Sequence, residues 1–209
     1  LEGQAVSIDG LENTMTDALV RIEYANGRAW VQRLTPAQPQ ATISQAPSAW
    51  QVAQTYPLLG VEHILRGIDH LLFVLGILLL TEGMRQLIGA ITAFTIAHSI
   101  TLAAATLGLV HVPSKPVEAA IAVSIVLIAV EIIRARSGRR ALATRMPWLV
   151  AFAFGLLHGF GFAGALSEIG VPEGQIPLAL LSFNVGVEAG QLLFVAGVLV
   201  LVALMRASR

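Results

Sequence analysis

Residues 63–70, "HILRGIDH", place two histidines, an arginine and an aspartate directly before the apolar run of residues 71–80. Imidazole and carboxylate groups bind metals and carry protons, and they rarely enter an apolar environment without a function. On a straight helix His63 and His70 share one face but lie about 10 Å apart along the axis. Both histidines can bind one ion if the helix bends at Gly67. Otherwise His63 forms a second, outer station.

Three further apolar stretches each carry an ionisable residue near their middle: His98, His158 and Glu188. With about 1.5 Å of rise per residue, these groups and His70 fall at a similar depth. Each such group costs about 2.5–3.5 kcal/mol at the centre of a bilayer, which marks it as a candidate for function. The common depth predicts one shared site, and a purely structural polar network is the alternative.

Asp69 lies about 100° around the helix from His70, so both bind one ion only if the helix is distorted. On an undistorted helix, Asp69 is better placed to pair with Arg66 or to fix the tautomer of a histidine from another helix. Arg66 can also pair with Glu62, one turn earlier.

Small and polar residues accompany the later histidines. Gly155 and Gly159 flank His158 at a spacing that lets another helix approach closely. On the last helix, Gly186 and Gly190 form a similar packing face. Beside that face lies a polar stripe of Asn184, Glu188 and Gln191.

The types of donor atom restrict which metal ions can bind. Imidazole and carboxylate without sulfur suit Ni(II), Co(II) or Zn(II) and argue against Cu(I), which favours cysteine and methionine. The chain has no cysteine, which also excludes disulfides and thiolate chemistry. The predicted ligand is therefore a divalent transition-metal ion, namely nickel, cobalt or zinc.

The elements that hold these residues are membrane helices. The chain has 209 residues, of which 56% are hydrophobic and 12% charged, about half the charge of a soluble domain. We predict an all-α polytopic membrane protein in which residues 46–209 form the transmembrane domain. Its five helices are predicted at about 61–80, 86–109, 116–134, 147–167 and 177–205.

Residues 1–45 are predicted to form an extramembrane β-hairpin segment and linker. Two alternating runs in Val20–Leu34 flank Asn26-Gly27, a pair typical of a tight hairpin turn. Because a lone hairpin is only marginally stable, we expect a remnant of a larger β domain and a processed or trimmed chain. Thr35–Ser48 is rich in proline and small polar residues and is predicted to be the linker. Residues 49–58 are predicted to form a short interfacial helix.

Basic residues orient the helices, because they stay on the cytoplasmic side. They cluster after the third predicted helix (Arg134, Arg136, Arg139, Arg140, Arg145), in the first loop (Arg85) and at the C-terminus (Arg206, Arg209). This pattern places the N-terminus outside and the C-terminus in the cytoplasm.

The motifs resemble those of the HupE/UreJ family, whose first-helix motif H-P-x-x-G-x-D-H is matched here by His63, Gly67, Asp69 and His70. Ile64 stands in place of the proline, which is similar to a second branch of the family with a periplasmic β segment. "TAFTIAHSITL", "FGLLHGFGFA" and "FNVGVEAGQ" also resemble that branch, so the likeness spans about residues 58–205.

The resemblance implies a nickel or cobalt permease in a bacterial inner membrane. It implies metal-binding roles for the residues that match the motifs: His63, Asp69, His70, His98, His158 and Glu188. Predicted partners are the lipid bilayer and the metal ion, not nucleic acid. Five helices are few for alternating access, which favours a homo-oligomer.

Two other functions fit the same residues. Three histidines and a carboxylate could hold a zinc ion that activates water, as in an intramembrane hydrolase of a lipid or membrane peptide. A metal sensor or chaperone could use the outer hairpin to contact a partner. A polar path on both sides of the site would favour transport, and an open metal position beside a lipid-sized cleft would favour the enzyme.

Overall fold

The protein is mostly helical, with a small β region ahead of the helices. The computed structural model describes residues 4–14, 16–23, 29–43, 48–139, 141–169 and 175–208. The strands are β1 (Ala5–Ser7), β2 (Ala18–Glu23), β3 (Ala29–Leu34) and β4 (Gln40–Thr42). The helices are α1 (Ala49–Arg66), α2 (Ile68–Leu80), α3 (Met84–Thr106), α4 (Ser114–Arg136), α5 (Leu142–Arg145), α6 (Pro147–Ile169) and α7 (Ile176–Ala207).

The predicted hairpin is present, because β2 and β3 pair antiparallel from Ala18 opposite Leu34 to Glu23 opposite Ala29. Its predicted Asn26-Gly27 turn lies outside the described residues. The prediction of a continuous linker was wrong in part, since β4 lies within it and pairs with β1. Of the three linker prolines, Pro36 and Pro39 precede β4 and Pro47 follows it, so the N–H groups of β4 remain free to pair.

The first predicted membrane helix, 61–80, is broken. A single helix, α1, begins at Ala49 behind a capping box of Ser48 and Gln51 and continues past the predicted boundary at 58 to Arg66. After Gly67, α2 departs at 77° to α1. The prediction of a separate interfacial helix was therefore wrong: residues 49–58 are the first part of α1, which packs on α7 along its length.

Helices are found at the other four predicted positions, as α3, α4, α6 and α7. By length and composition α3, α4 and α7 can each cross a membrane, and α1 with α2 makes a fourth span if the bent pair is counted as one. The part of α6 whose side chains the structure describes, Pro147–Phe162, is apolar, and the helix continues to Ile169. The protein is thus an integral membrane protein in which three or four spans are identified by length and composition among the described residues.

Close helix contacts fix the positions of the side chains at the centre. The largest interfaces between helices are α3 on α6 and α1 on α7. A Cβ added at Gly159 would overlap Thr101 Oγ1 and the carbonyl oxygen of His98, and one at Gly186 would overlap the backbone of Pro57. The predicted small-residue packing faces on α6 and α7 are confirmed, and the first of them holds α6 against the turn that carries His98.

Candidate metal centre

The break at Gly67 brings together two histidines that a straight helix would separate. The ring centroids of His63 and His70 are 4.6 Å apart, with the rings edge to face. Gly67 itself has no room for a side chain, because a Cβ there would lie 2.7 Å from His70 Nδ1 and 3.0 Å from the His63 carbonyl oxygen. The sequence left open whether His63 and His70 could face one ion or lie apart; the structure brings the two rings together.

His98 enters the cluster from α3 and is completely buried. Its ring centroid lies 6.1 Å from that of His63 and 6.3 Å from that of His70. Its Nδ1 is 3.0 Å from Asn184 Oδ1, while Asn184 Nδ2 donates to the carbonyl oxygen of Leu180. Since the amide is oriented by that second bond, His98 Nδ1–H donates to Asn184 and Nε2 keeps its lone pair.

His158 enters from α6, with its ring centroid 4.8 Å from that of His70. Its Nε2 is 3.2 Å from Ser124 Oγ, and the Ser124 hydroxyl donates to the carbonyl oxygen of Ile121. The hydroxyl proton is therefore engaged, so Ser124 accepts from His158 Nε2–H. The lone pair of His158 is left on Nδ1.

Asp69 orients the histidine next to it. Asp69 Oδ1 lies 3.1 Å from His70 Nδ1, and a carboxylate can only accept, so Nδ1–H donates and Nε2 keeps its lone pair. This carboxylate–imidazole contact is the arrangement that usually accompanies a metal-binding histidine. Arg66 pairs instead with Glu62 at 2.9 Å, which confirms one of its two predicted partners.

The unpartnered nitrogens are the chemical signature of the cluster. Four buried ring nitrogens have no hydrogen-bond partner among the described residues: His63 Nε2, His70 Nε2, His98 Nε2 and His158 Nδ1. Buried polar atoms are normally paired, so four orphans in one cluster require an explanation. A metal ion, which accepts lone pairs from neutral imidazole, would provide it.

Two overlapping donor sets can hold such an ion. One atom from each of His63, His70 and His98 lies within 4.8 Å of the others, and the same holds for Asp69, His70 and His158. Donors bound tetrahedrally at 2.0–2.1 Å stand about 3.3 Å apart, so small side-chain movements would complete either set. His70 belongs to both.

Glu188 is not part of either set. It is half-buried on α7, and its Oε1 accepts a hydrogen bond of 2.6 Å from Thr92 on α3. Sequence reasoning overlooked Ser124, which fixes the tautomer of His158. A lone hydroxyl in the apolar run of α4 was the available signal.

An open cavity leads to one edge of the cluster. It has a volume of about 470 Å³ and is lined by Leu59, Glu62, His63, Arg66, Gly67 and Phe162. On the other sides the histidines meet aromatic rings, with Phe94 5.3 Å from His158 and Phe73 5.7 Å from it. His63 thus connects an accessible space with a buried, largely apolar surround.

The fold and site define an integral membrane protein whose helices enclose a histidine and carboxylate cluster able to hold a metal ion. Residues 37–209 match the family described as HupE / UreJ protein, so the chain belongs to the HupE/UreJ family. The match includes every helix and confirms the family suggested by the sequence motifs. Comparison with curated proteins and with solved structures gives no significant match.

Proposed function

We propose that the protein is a membrane permease for a divalent transition-metal ion of the nickel or cobalt type, with the histidine cluster as its binding site. The observation that carries the proposal is the set of four buried ring nitrogens that have no hydrogen-bond partner among the described residues. In three of the four rings, the other nitrogen is held by Asp69, Asn184 or Ser124. The resemblance to nickel and cobalt permeases supports the same conclusion.

The cavity gives the proposed path its direction. An ion entering beside Glu62 would first meet His63, then His70, which belongs to both donor sets. His98 and His158 would replace the remaining water ligands, and Asp69 would orient His70 and offset part of the ion's charge. A neutral imidazole site binds nickel, cobalt and zinc more tightly than magnesium or calcium.

Purified protein in vesicles tests the proposal. We expect wild-type vesicles to accumulate nickel or cobalt, measured by a trapped metal-sensitive dye, and His70→Ala vesicles to accumulate little, because His70 belongs to both donor sets. His111→Ala is the matched control, because His111 is exposed in the loop before α4. Wild-type vesicles that accumulate none of nickel, cobalt and zinc, with a proton gradient of either sign, would overturn the transport function.

One observation favours a second function, an intramembrane zinc hydrolase. A cavity of about 470 Å³ is larger than a single cation needs, and Leu59 and Phe162 give it apolar walls suited to part of a lipid. In that case the cluster would bind zinc in the absence of any net uptake. Release of fatty acid or a cleaved peptide by zinc-loaded protein would then support the enzyme.

We further propose that the protein resides in a bacterial inner membrane as a homo-oligomer, with the C-terminus in the cytoplasm. The arginines that follow α4 support this orientation. Because the chain has no cysteine, single replacements at the exposed residues Ser114 and Ser137 can be labelled selectively. Impermeant reagent outside intact cells should reach Ser114→Cys only, and labelling of Ser137→Cys alone would reverse the orientation.

A further inference from the structure

A row of polar side chains continues from the histidine cluster along the interface of α3 and α7. N-terminal to His98 on α3, Thr92 Oγ1 donates to Glu188 Oε1 at 2.6 Å. Thr95 Oγ1 lies 3.3 Å from Gln191 Oε1 and 3.2 Å from the carbonyl oxygen of Ile91, and its single proton is donated to one of the two. These four residues, Thr92, Thr95, Glu188 and Gln191, form what we call the inner oxygen group. Its oxygen atoms come from two hydroxyls, a carboxylate and an amide.

Along α3 and α6, Thr92 of the inner oxygen group and Phe162 of the cavity wall lie on opposite sides of the histidines. Thr92 is six residues N-terminal to His98, about 9 Å along α3. Phe162, on the cavity wall, lies C-terminal to His158 on α6, which runs parallel to α3 because Gly155 meets Phe94 and Gly159 meets His98. Along these two helices, Phe162, the histidines and Thr92 therefore follow one another.

Two of these side chains are incompletely satisfied. Gln191 is completely buried, and its Nε2, a hydrogen-bond donor, has no partner among the described residues, so its Oε1 is the atom that could contact a cation. Glu188 has Thr92 as its one hydrogen-bond partner and no ion-pair partner in the described part of the chain. A carboxylate can accept about four hydrogen bonds, so most of its capacity is unused in a membrane helix, where an unpaired charge is costly.

We propose that the inner oxygen group is a second, weaker cation station, which receives the divalent ion after the histidines release it. This proposal rests on the proposed transport function. Oxygen donors bind nickel, cobalt and zinc less tightly than imidazole does and suit manganese or magnesium better. A pathway conducts only if its sites are weak enough to let the ion leave, and a change from nitrogen to oxygen donors provides that decrease in affinity.

A purely structural role makes different predictions. Glu188→Gln keeps an oxygen that can accept from Thr92 but removes the charge needed to attract a cation. Thr92→Val removes the hydrogen bond while preserving the shape of the side chain. Glu118→Gln is the matched control, because Glu118 is exposed on α4.

The experiment combines three measurements on full-length protein whose histidine cluster is first loaded with zinc. Added Mn²⁺ is followed by electron paramagnetic resonance, retained zinc by elemental analysis, and nickel uptake in vesicles by initial rate. We expect Glu188→Gln to retain its zinc, lose the bound Mn²⁺ signal and take up nickel at least tenfold more slowly. Glu118→Gln should match the wild type in all three.

Several outcomes would overturn the inner station. If Glu188→Gln binds Mn²⁺ and takes up nickel as the wild type does, the inner oxygen group makes only structural hydrogen bonds. Loss of zinc from Glu188→Gln would place Glu188 in the histidine site instead. Thermal destabilisation by Thr92→Val without any effect of Glu188→Gln on Mn²⁺ would also assign a structural role. If the wild type transports nothing, the transport function fails, while the Mn²⁺ measurement still decides whether the station exists.

Discussion

Replacing Gly67 with alanine is expected to remove bound metal from the histidine cluster. The added Cβ would lie 2.7 Å from His70 Nδ1 and 3.1 Å from Asp69 Oδ1, so the carboxylate–imidazole contact could not persist. Alanine also favours helix over glycine by about 1 kcal/mol, which opposes the break between α1 and α2. If the helix straightens, His63 and His70 separate to about 10 Å, too far for one ion.

This prediction is tested by measuring the metal content of purified Gly67→Ala protein by elemental analysis after mild washing. Gly89→Ala is the matched control, since Gly89 lies on α3 with no atom within 4 Å of an added Cβ. We expect wild-type stoichiometry in the control and a loss of at least tenfold in affinity for Gly67→Ala. Wild-type metal content in a folded Gly67→Ala protein would show that the break is not needed for the site.

His70→Ala is expected to abolish metal binding, whereas His63→Ala and His158→Ala should only weaken it. His70 belongs to both donor sets, so its loss leaves fewer than three donors in each. Loss of His63 leaves Asp69, His70 and His158, and loss of His158 leaves His63, His70 and His98. Asp69→Asn keeps the shape of the side chain and should weaken binding by roughly 10–100-fold, the usual effect of altering a group that orients a ligand.

Titration of each variant with zinc or nickel ranks the affinities, and thermal unfolding checks that every variant remains folded. We expect the wild type to have the highest affinity and His63→Ala and His158→Ala a lower one. His70→Ala should show no measurable binding. Equal losses in the three histidine variants would mean that all three bind one ion together. Unchanged binding in all of them would leave the cluster a structural network of histidines.

The sequence predicted the participants more completely than their arrangement. The helical rise placed His70, His98 and His158 at a common depth, and the structure brings their rings together. The position of His63 could not be decided, because helical periodicity assumes a straight axis and does not reveal the 77° bend at Gly67. For the same reason, the sequence left open whether Asp69 lies near His70, and in the structure it contacts His70 at the start of α2.

Local sequence could not predict contacts between distant parts of the chain. β4 was predicted to be linker because proline-rich composition is local, whereas its pairing with β1 is not. Glu188 was grouped with the histidines on depth and on the family resemblance; its carboxylate contacts Thr92 and belongs to neither donor set, and its role in metal binding stays a prediction. Depth follows from residue number, while the choice of neighbour depends on how α3 and α7 pack.

The glycine contacts divide the bundle into two pairs of helices joined backbone to backbone, α1 with α7 and α3 with α6. His63 is carried by the first pair and His98 by the second, so an ion held by both would link the two pairs, which hydrogen bonds between α3 and α7 also join. By thermodynamic linkage, the ion must stabilise the relative position of the pairs that it binds best, and any tilt between them must lower its affinity. A spin-label distance between α1 and α6, measured with and without zinc, would report that motion directly.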